Sequence, residues 1–227
     1  MIRTDLHLHS CLSPCGDDEM DPGDVVRMAK LIGIDLVALT DHNSAKNCLT
    51  AELAAKECGI GFIPGLEVTT AEEIHCICLF PSVARATSFH EAIALVRPRI
   101  KNRPDIFGNQ RIVHPDGTVE DEPYLLYPAS SISIMDLPGV VRALGGLFWP
   151  AHVDRGANSL FTMLGSWPPE LQADAVELIY QRRGDIPESV KRVRVSDAHR
   201  FRDMRDEGFP LPLESADFES LAAYLRG

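Results

Sequence analysis

The chain has 227 residues, 45% of them hydrophobic and 24% charged, with a formal net charge of −11. That length supports one sizeable core and is short for two full domains, so residues 1–227 are expected to form a single domain. No apolar run reaches bilayer length, and no basic run exceeds the Arg182–Arg183 pair, which favours a small soluble partner over a membrane or a long nucleic acid.

The opening stretch carries Arg3, Asp5, His7 and His9 where a signal peptide needs uninterrupted apolar residues, so a cytoplasmic location is expected. A first strand is predicted over 2–8, with Asp5, His7 and His9 on one side and Leu6 and Leu8 on the other. The loop "HSCLSPCGDDEMDP" follows, and Asp21 ahead of Pro22 predicts a capped helix over 22–32. Strands at 34–40, 60–66 and 74–80 alternate with helices at 45–58 and 83–99, the first of these with Ser44 as its cap and Gly59 as its stop. Cys76 and Cys78 would point into one face of a core, and all six cysteines read as free thiols. Residues 101–134 break the rhythm and read as an insertion, with a hairpin turning at Asp116-Gly117 that either covers a site or packs on the surface. Beyond it come a helix at 135–145, strands at 146–152, 174–180 and 193–197, and helices at 186–192 and 217–226. Repeated β-then-α units predict a parallel sheet, and the strand count favours a small (β/α) barrel in the α/β class.

The histidines sort onto this pattern. His7, His9, His42, His152 and His199 fall at or just beyond a predicted strand's C-terminal end, while His75 lies early in the fourth strand. In a (β/α) barrel those ends share one face, where active sites are built. Two imidazoles at i and i+2 can hold one cation, and Asp5 would either join them or fix a ring tautomer. Glu67 in "IPGLEVTT" can bridge two cations, and Gly65 beside it permits close backbone approach. "SDAH" adds Asp197 and His199. Arg155, three residues after His152, is the best-positioned candidate for a substrate phosphate, with Arg182 and Arg183 behind it. A surface role for Arg155, or an ion pair with Asp154, is the competing reading. His90 and His114 read as structural or solvated.

Taken together, "DLHLHS" at 5–10, "TDHNS" at 40–44, "GLE" at 65–67, His75, "AHVD" at 151–154 and "SDAH" at 196–199 resemble, in content and order, the motifs of the polymerase and histidinol phosphatase (PHP) family. The resemblance implies a distorted, TIM-barrel-like seven-stranded (β/α) barrel. Its metal site would lie at the C-terminal ends of the strands and hold two to three divalent cations, Zn, Mn or Fe. It implies a first cation between His7, His9, Glu67 and Asp197, a second between Glu67, His75 and His152, and a third held by His42, His199 and one loop residue. The loop is longer than the family's short version; Asp17 after Gly16 is the preferred ligand, with Asp18 and Cys15 as alternatives. The implied activity is a metal-dependent phosphatase or phosphodiesterase acting on a small phosphorylated metabolite or nucleotide, by attack of a metal-bridging hydroxide. That hydroxide would lie between the metals bridged by Glu67, and Asp197 or His199 would handle protons. The rival readings are a 5′–3′ exonuclease on short oligonucleotides, an amidohydrolase-type C–N hydrolase and a non-catalytic regulatory module. The amidohydrolase reading is weakened because no lysine follows a predicted strand in the manner of that class.

Overall fold

The structure is a computed structural model that describes residues 1–180 and 186–227. Strand β1 (Ile2–Leu8) leads through a long loop to α1 (Pro22–Leu31), and β2 (Leu36–Leu39) to α2 (Cys48–Cys58). Next come β3 (Gly61–Thr69), β4 (His75–Leu79), α3 (Val83–Leu95) and the short α4 (Pro104–Phe107). The hairpin β5 (Arg111–Val113) and β6 (Val119–Asp121) turns at Asp116-Gly117, with Gly117 at φ 83°. It is followed by α5 (Leu137–Ala143), β7 (Leu147–Pro150), α6 (Leu160–Leu164), β8 (Ala175–Leu178), β9 (Lys191–Arg194), β10 (Phe209–Leu211) and α7 (Phe218–Arg226).

Six strands form one sheet in the order β10-β1-β2-β3-β4-β7, and β8 and β9 pair in parallel. The two units join at both edges. Asp174 N–H donates to Phe148 O at 2.9 Å and Val153 N–H to Glu177 O at 3.1 Å on one side, and His9 N–H donates to Ala198 O at 3.1 Å on the other. The result is an α/β fold around a curled sheet.

An all-parallel sheet is not what forms. The β1–β10, β3–β4 and β4–β7 pairs are antiparallel. The chain reverses between Thr69 and His75 in a tight turn, closed by Thr70 N–H to Ile74 O at 2.9 Å, so no crossover helix separates β3 from β4. This reversal accounts for the one histidine that did not sort with the others. His75 opens a strand running against its neighbours, so the start of β4 lies beside the end of β3, with Thr69 paired to His75.

The inner face gathers Leu6, Leu36, Ile63, Ile77, Trp149, Ala175 and Val193 into one cluster. Phe218, Leu221 and Leu225 of α7 join that cluster, and β10 pairs with the start of β1 (Ile2 with Leu211). The C-terminal segment thus covers the end of the sheet opposite His7 and His9. A second layer, with Val25, Val26, Ala51 and Ala55, packs α1 and α2 outside β1 and β2. Burial of this kind is worth roughly 25 cal/mol per Å² of apolar surface, which lets the sheet tolerate a polar rim.

Other expectations differ in detail. Pairing of β1 with β2 slips between Asp5 and Leu8, and strict alternation fails with it. Leu6 packs in the inner cluster, whereas Leu8 joins the layer under α1. Asp21 caps α1, accepting from Gly23 N–H and Asp24 N–H. Ser44 does not cap α2, which begins after Asn47; the Asn47 side chain is used instead to hold Val113 N–H at 2.9 Å. No helix forms over 186–192 in the described residues, because Pro187 opens a turn and Lys191–Arg194 runs as strand β9. The α6 turn, capped by Ser159 and stopped by Gly165, and the short β10 carry too little periodicity to be read in advance. Cys76 and Cys78 do share one buried cluster, and all six cysteines are free.

Candidate metal centre

The rim brings the predicted residues together. Glu67 is buried on β3, and its two carboxylate oxygens face different imidazoles. Oε1 lies 2.9 Å from His75 Nδ1, 3.2 Å from His152 Nε2 and 3.5 Å from His7 Nε2. Oε2 lies 2.8 Å from His42 Nδ1 and 3.5 Å from His9 Nε2. Asp197 Oδ1 lies 3.2 Å from His7 Nε2 and 3.3 Å from His9 Nε2, and the His9 and His199 rings stack at 4.0 Å. Three groups have ligand atoms close enough to share a cation: His7 with His9 and Asp197, His42 with Glu67 and His75, and His9 with His42 and His199.

The fit to a cation rests on unsatisfied atoms. Glu67 Oε2, His42 Nδ1 and Asp197 Oδ1 are buried without a hydrogen bond of acceptable geometry, although the first two lie only 2.8 Å apart. Buried polar atoms are normally paired, and a shared cation would pair these. His152 and Asp197 also hold left-handed backbone, at φ 30° and 53°, a cost that native structures carry mostly at functional sites.

Outer partners fix which ring nitrogen faces the centre. His7 Nδ1 lies 3.0 Å from Oε1 and 3.1 Å from Oε2 of Glu177, so it donates there and leaves Nε2 free. His9 Nδ1 donates to Ser13 Oγ at 2.8 Å, because that hydroxyl gives its own proton to Asp41 Oδ1 at 2.7 Å. His199 Nδ1 donates to Asp197 O at 2.9 Å. Such partners set tautomer and basicity in metal sites. Glu177, wholly buried on β8, was missed in the sequence; the signal was an acid inside the apolar run "AVELI". It takes the orienting role considered for Asp5, whose carboxylate instead accepts Ser196 N–H at 3.1 Å.

Electrostatics follow from this crowding. Burial pushes the Asp5 carboxyl up to about 7. Burial also disfavours a charged His7, but Glu177, Asp197 and Glu67 outweigh it and hold the ring well above its ordinary value. His9 goes the other way: burial, reinforced by His199, holds it well below. For Glu67, His75, His42 and His7 overcome burial and keep the carboxylate charged.

Asp17 is not brought into this cluster. Its side chain is 43% exposed and faces Arg200 at 3.9 Å in an outer cleft, while Asp18 pairs with Arg111 at 3.1 Å. Cys15 is the loop residue that reaches the centre, with Sγ 3.2 Å from His42 Nε2. Gly16 makes the turn possible, since a Cβ there would lie 2.3 Å from Ser10 O. Tyr127, from the stretch read as an insertion, stands with its ring 5.3 Å from that of His42. The cavity over the cluster is about 220 Å³ and is lined also by Arg155 and Asn158. Arg155 pairs with Asp197 and not with Asp154, whose carboxylate accepts Ile179 N–H and Tyr180 N–H. Arg182 and Arg183 lie outside the described residues.

Comparison with known proteins agrees with this geometry. Residues 5–116 match the family model of the PHP domain, a span containing His7, His9, His42, Glu67 and His75. Among curated proteins, the chain is 30% identical over 105 residues to an uncharacterised protein of Methanocaldococcus jannaschii, covering 42% of this chain and 61% of that protein. It is 40% identical over 80 residues to a 5′-3′ exoribonuclease of Haemophilus influenzae, covering 34% of this chain and 28% of that one. The matches thus span less than two thirds of either relative. Among solved structures, the lesion-specific endonuclease Q of Pyrococcus furiosus superposes with a TM-score of 0.72 at 19% identity, over 100% of this chain and 56% of that chain. A chain of Bifidobacterium adolescentis assigned as a metal-dependent phosphoesterase superposes at 0.59 and 18% identity, over 98% and 95%. At these identities the structural likeness concerns the fold. Residues 5–116 of this chain thus carry a PHP domain match, on a fold to suit it.

Proposed function

We propose that the chain is a metal-dependent phosphoesterase whose rim residues hold two to three divalent cations in a distorted seven-stranded barrel. The observation that carries this reading is Glu67, with its two oxygens turned to separate sets of imidazoles. His7, His9, Glu67 and Asp197 would hold one cation, Glu67, His75 and His152 a second, and His42 and His199 a third. Divalent cations bound in such a site lower the pKa of coordinated water and neutralise phosphoryl charge. The chain's own contribution is orientation: Glu177, Ser13 and the Asp197 carbonyl keep three imidazoles turned with Nε2 inward. Arg155, opening on the same cavity, would leave Asp197 to grip a substrate phosphate, and its planar fork suits that task.

Cys15, not Asp17, completes the third set in this reading, supported by its 3.2 Å approach to His42 Nε2. Binding would release the thiol proton. Because burial pushes this thiol up to about 12, the bond needs a cation that favours sulfur, and zinc is the expected choice. Cys15→Ser is expected to lose about one equivalent of tightly held zinc, read by elemental analysis after dialysis. Cobalt substitution gives a second readout, since a thiolate-to-cobalt absorption present in the parent and absent in the variant would mark the ligand directly.

A phosphodiester substrate is a second reading, favoured by the 40% identity to the 5′-3′ exoribonuclease across 80 residues. The deciding experiment measures metal content and phosphate release on one sample, with nucleotides, sugar phosphates, histidinol phosphate and short oligonucleotides as substrates. Two to three equivalents of metal, with turnover that chelation abolishes and metal restores, is the expected result. Full turnover after complete metal removal would overturn the reading, and bound metal without turnover on any substrate would favour a non-catalytic module.

A further inference from the structure

Away from the metal centre, a cavity of about 410 Å³ lies between α3 and the 122–124 segment. It is lined by Lys46, His90, Arg97 and Arg99, with Glu122 as its one carboxylate and Tyr124 as its aromatic wall. On a chain of net charge −11, three fixed cations against one acid is a local reversal of sign. Lys46 is neutralised by Glu122 at 2.5 Å. The two arginines are not: among the described residues, neither has a carboxylate within ion-pair distance. Arg97 is half-buried, spends one N–H on Leu125 O at 3.1 Å and keeps its Nε buried without a partner. Arg99 lies over the Tyr124 ring at 4.2 Å, which holds its guanidinium at the cavity wall. Arginines left without carboxylates in a shared cleft are suited to a phosphate.

The cleft and the metal centre are joined by one short stretch of chain. Tyr124 and Leu125 contact the arginines, and Tyr127 stands beside His42. Three residues of extended backbone span at most ~11 Å. A second cavity between them, about 390 Å³, is lined by Leu125, Tyr127 and Pro128 together with His75 of the centre. Charge tracking the backbone, alternating with aromatic faces, is how single strands are held without regard to sequence.

We propose that the Arg97–Arg99 cleft is an accessory subsite for a second phosphate of the substrate, one that is bound and not hydrolysed. The proposal rests on the phosphoesterase reading for the identity of the substrate, but not for the binding itself. The test compares kcat/KM for a 5′-phosphorylated mononucleotide and a 5′-phosphorylated trinucleotide in the parent, Arg99→Ala and Arg97→Gln proteins. The expected result is a loss of about tenfold on the trinucleotide, carried by KM, with the mononucleotide unchanged. Equal losses on both substrates, or none on either, would overturn it. Arg99 is exposed, so its variant remains decisive if Arg97→Gln folds poorly. Should the parent hydrolyse nothing, binding of a labelled phosphorothioate trinucleotide to the metal-loaded protein decides alone. Arg99-dependent, salt-sensitive binding supports the subsite, and binding indifferent to Arg99 overturns it. Inorganic phosphate binding through Arg99 as tightly as the trinucleotide would mean a site for a free anion, against the proposal.

Discussion

Replacing Glu67 by alanine is expected to lower kcat by ~10³-fold and to reduce bound metal in the same preparation. The carboxylate is the only acid among the described residues that faces His7, His9, His42, His75 and His152 together. Without it, five imidazoles converge on one volume with Asp197 as the one carboxylate left beside the inward nitrogens of His7 and His9, and cations brought among them would repel. Glu67→Gln sharpens the test. It keeps the shape but has a single acceptor oxygen, so it serves one side of the centre and presents an amide to the other. Its metal content should fall by at least one equivalent while the metal-free protein keeps its melting temperature. Wild-type turnover in either variant would show that the chemistry lies elsewhere.

The second large effect is expected at a residue that touches no cation. Glu177→Gln should weaken metal binding by ~10–100-fold, measured by titration against a competing chelator. The parent carboxylate accepts from His7 Nδ1, from His152 N–H at 3.0 Å and from Trp149 Nε1 at 3.4 Å. Every partner is a donor. An amide offers one oxygen and one NH₂, so one of those donors must meet another donor, in a site where Glu177 is wholly buried. His7 Nδ1 lies against both carboxylate oxygens, so it too faces the NH₂ on one side, and the hold that keeps its Nε2 turned inward weakens. Glu177→Asp, which keeps the charge and shortens the reach, should recover part of the affinity. A wild-type metal affinity in Glu177→Gln would reduce this residue to ordinary packing.

Much of the centre was legible because its residues are chemically conspicuous. Paired histidines on a strand end and an Asp–His pair near the chain's end have few uses in a plain core. His75 was legible as a residue but not as a position, since a reversed strand leaves no mark in composition. Glu177 was hidden by its apolar neighbours. The preference for Asp17 in the loop rested on ligand hardness alone, while the turn at Gly16 directs Cys15 toward His42 and leaves Asp17 against Arg200. The helices were readable where a cap and a stop bracket them, as in α1, and were not where Pro187 redirects the chain. The basic cleft escaped notice because Lys46 and Tyr124 lie far along the chain from the Arg97 and Arg99 pair and the overall charge conceals them.

The tight reversal between β3 and β4 also bears on the order of assembly. Glu67 and His75 stand eight positions apart, and His42 follows the neighbouring strand, so three residues of the centre belong to the stretch 36–79. Closing that short loop costs little entropy compared with bringing in His152, Asp197 and His199 from far along the chain. A nucleus carrying His42, Glu67 and His75 is therefore expected to form before the segments that supply His152, Asp197 and His199. Metal supply during synthesis can then favour folding of this domain as well as its later chemistry.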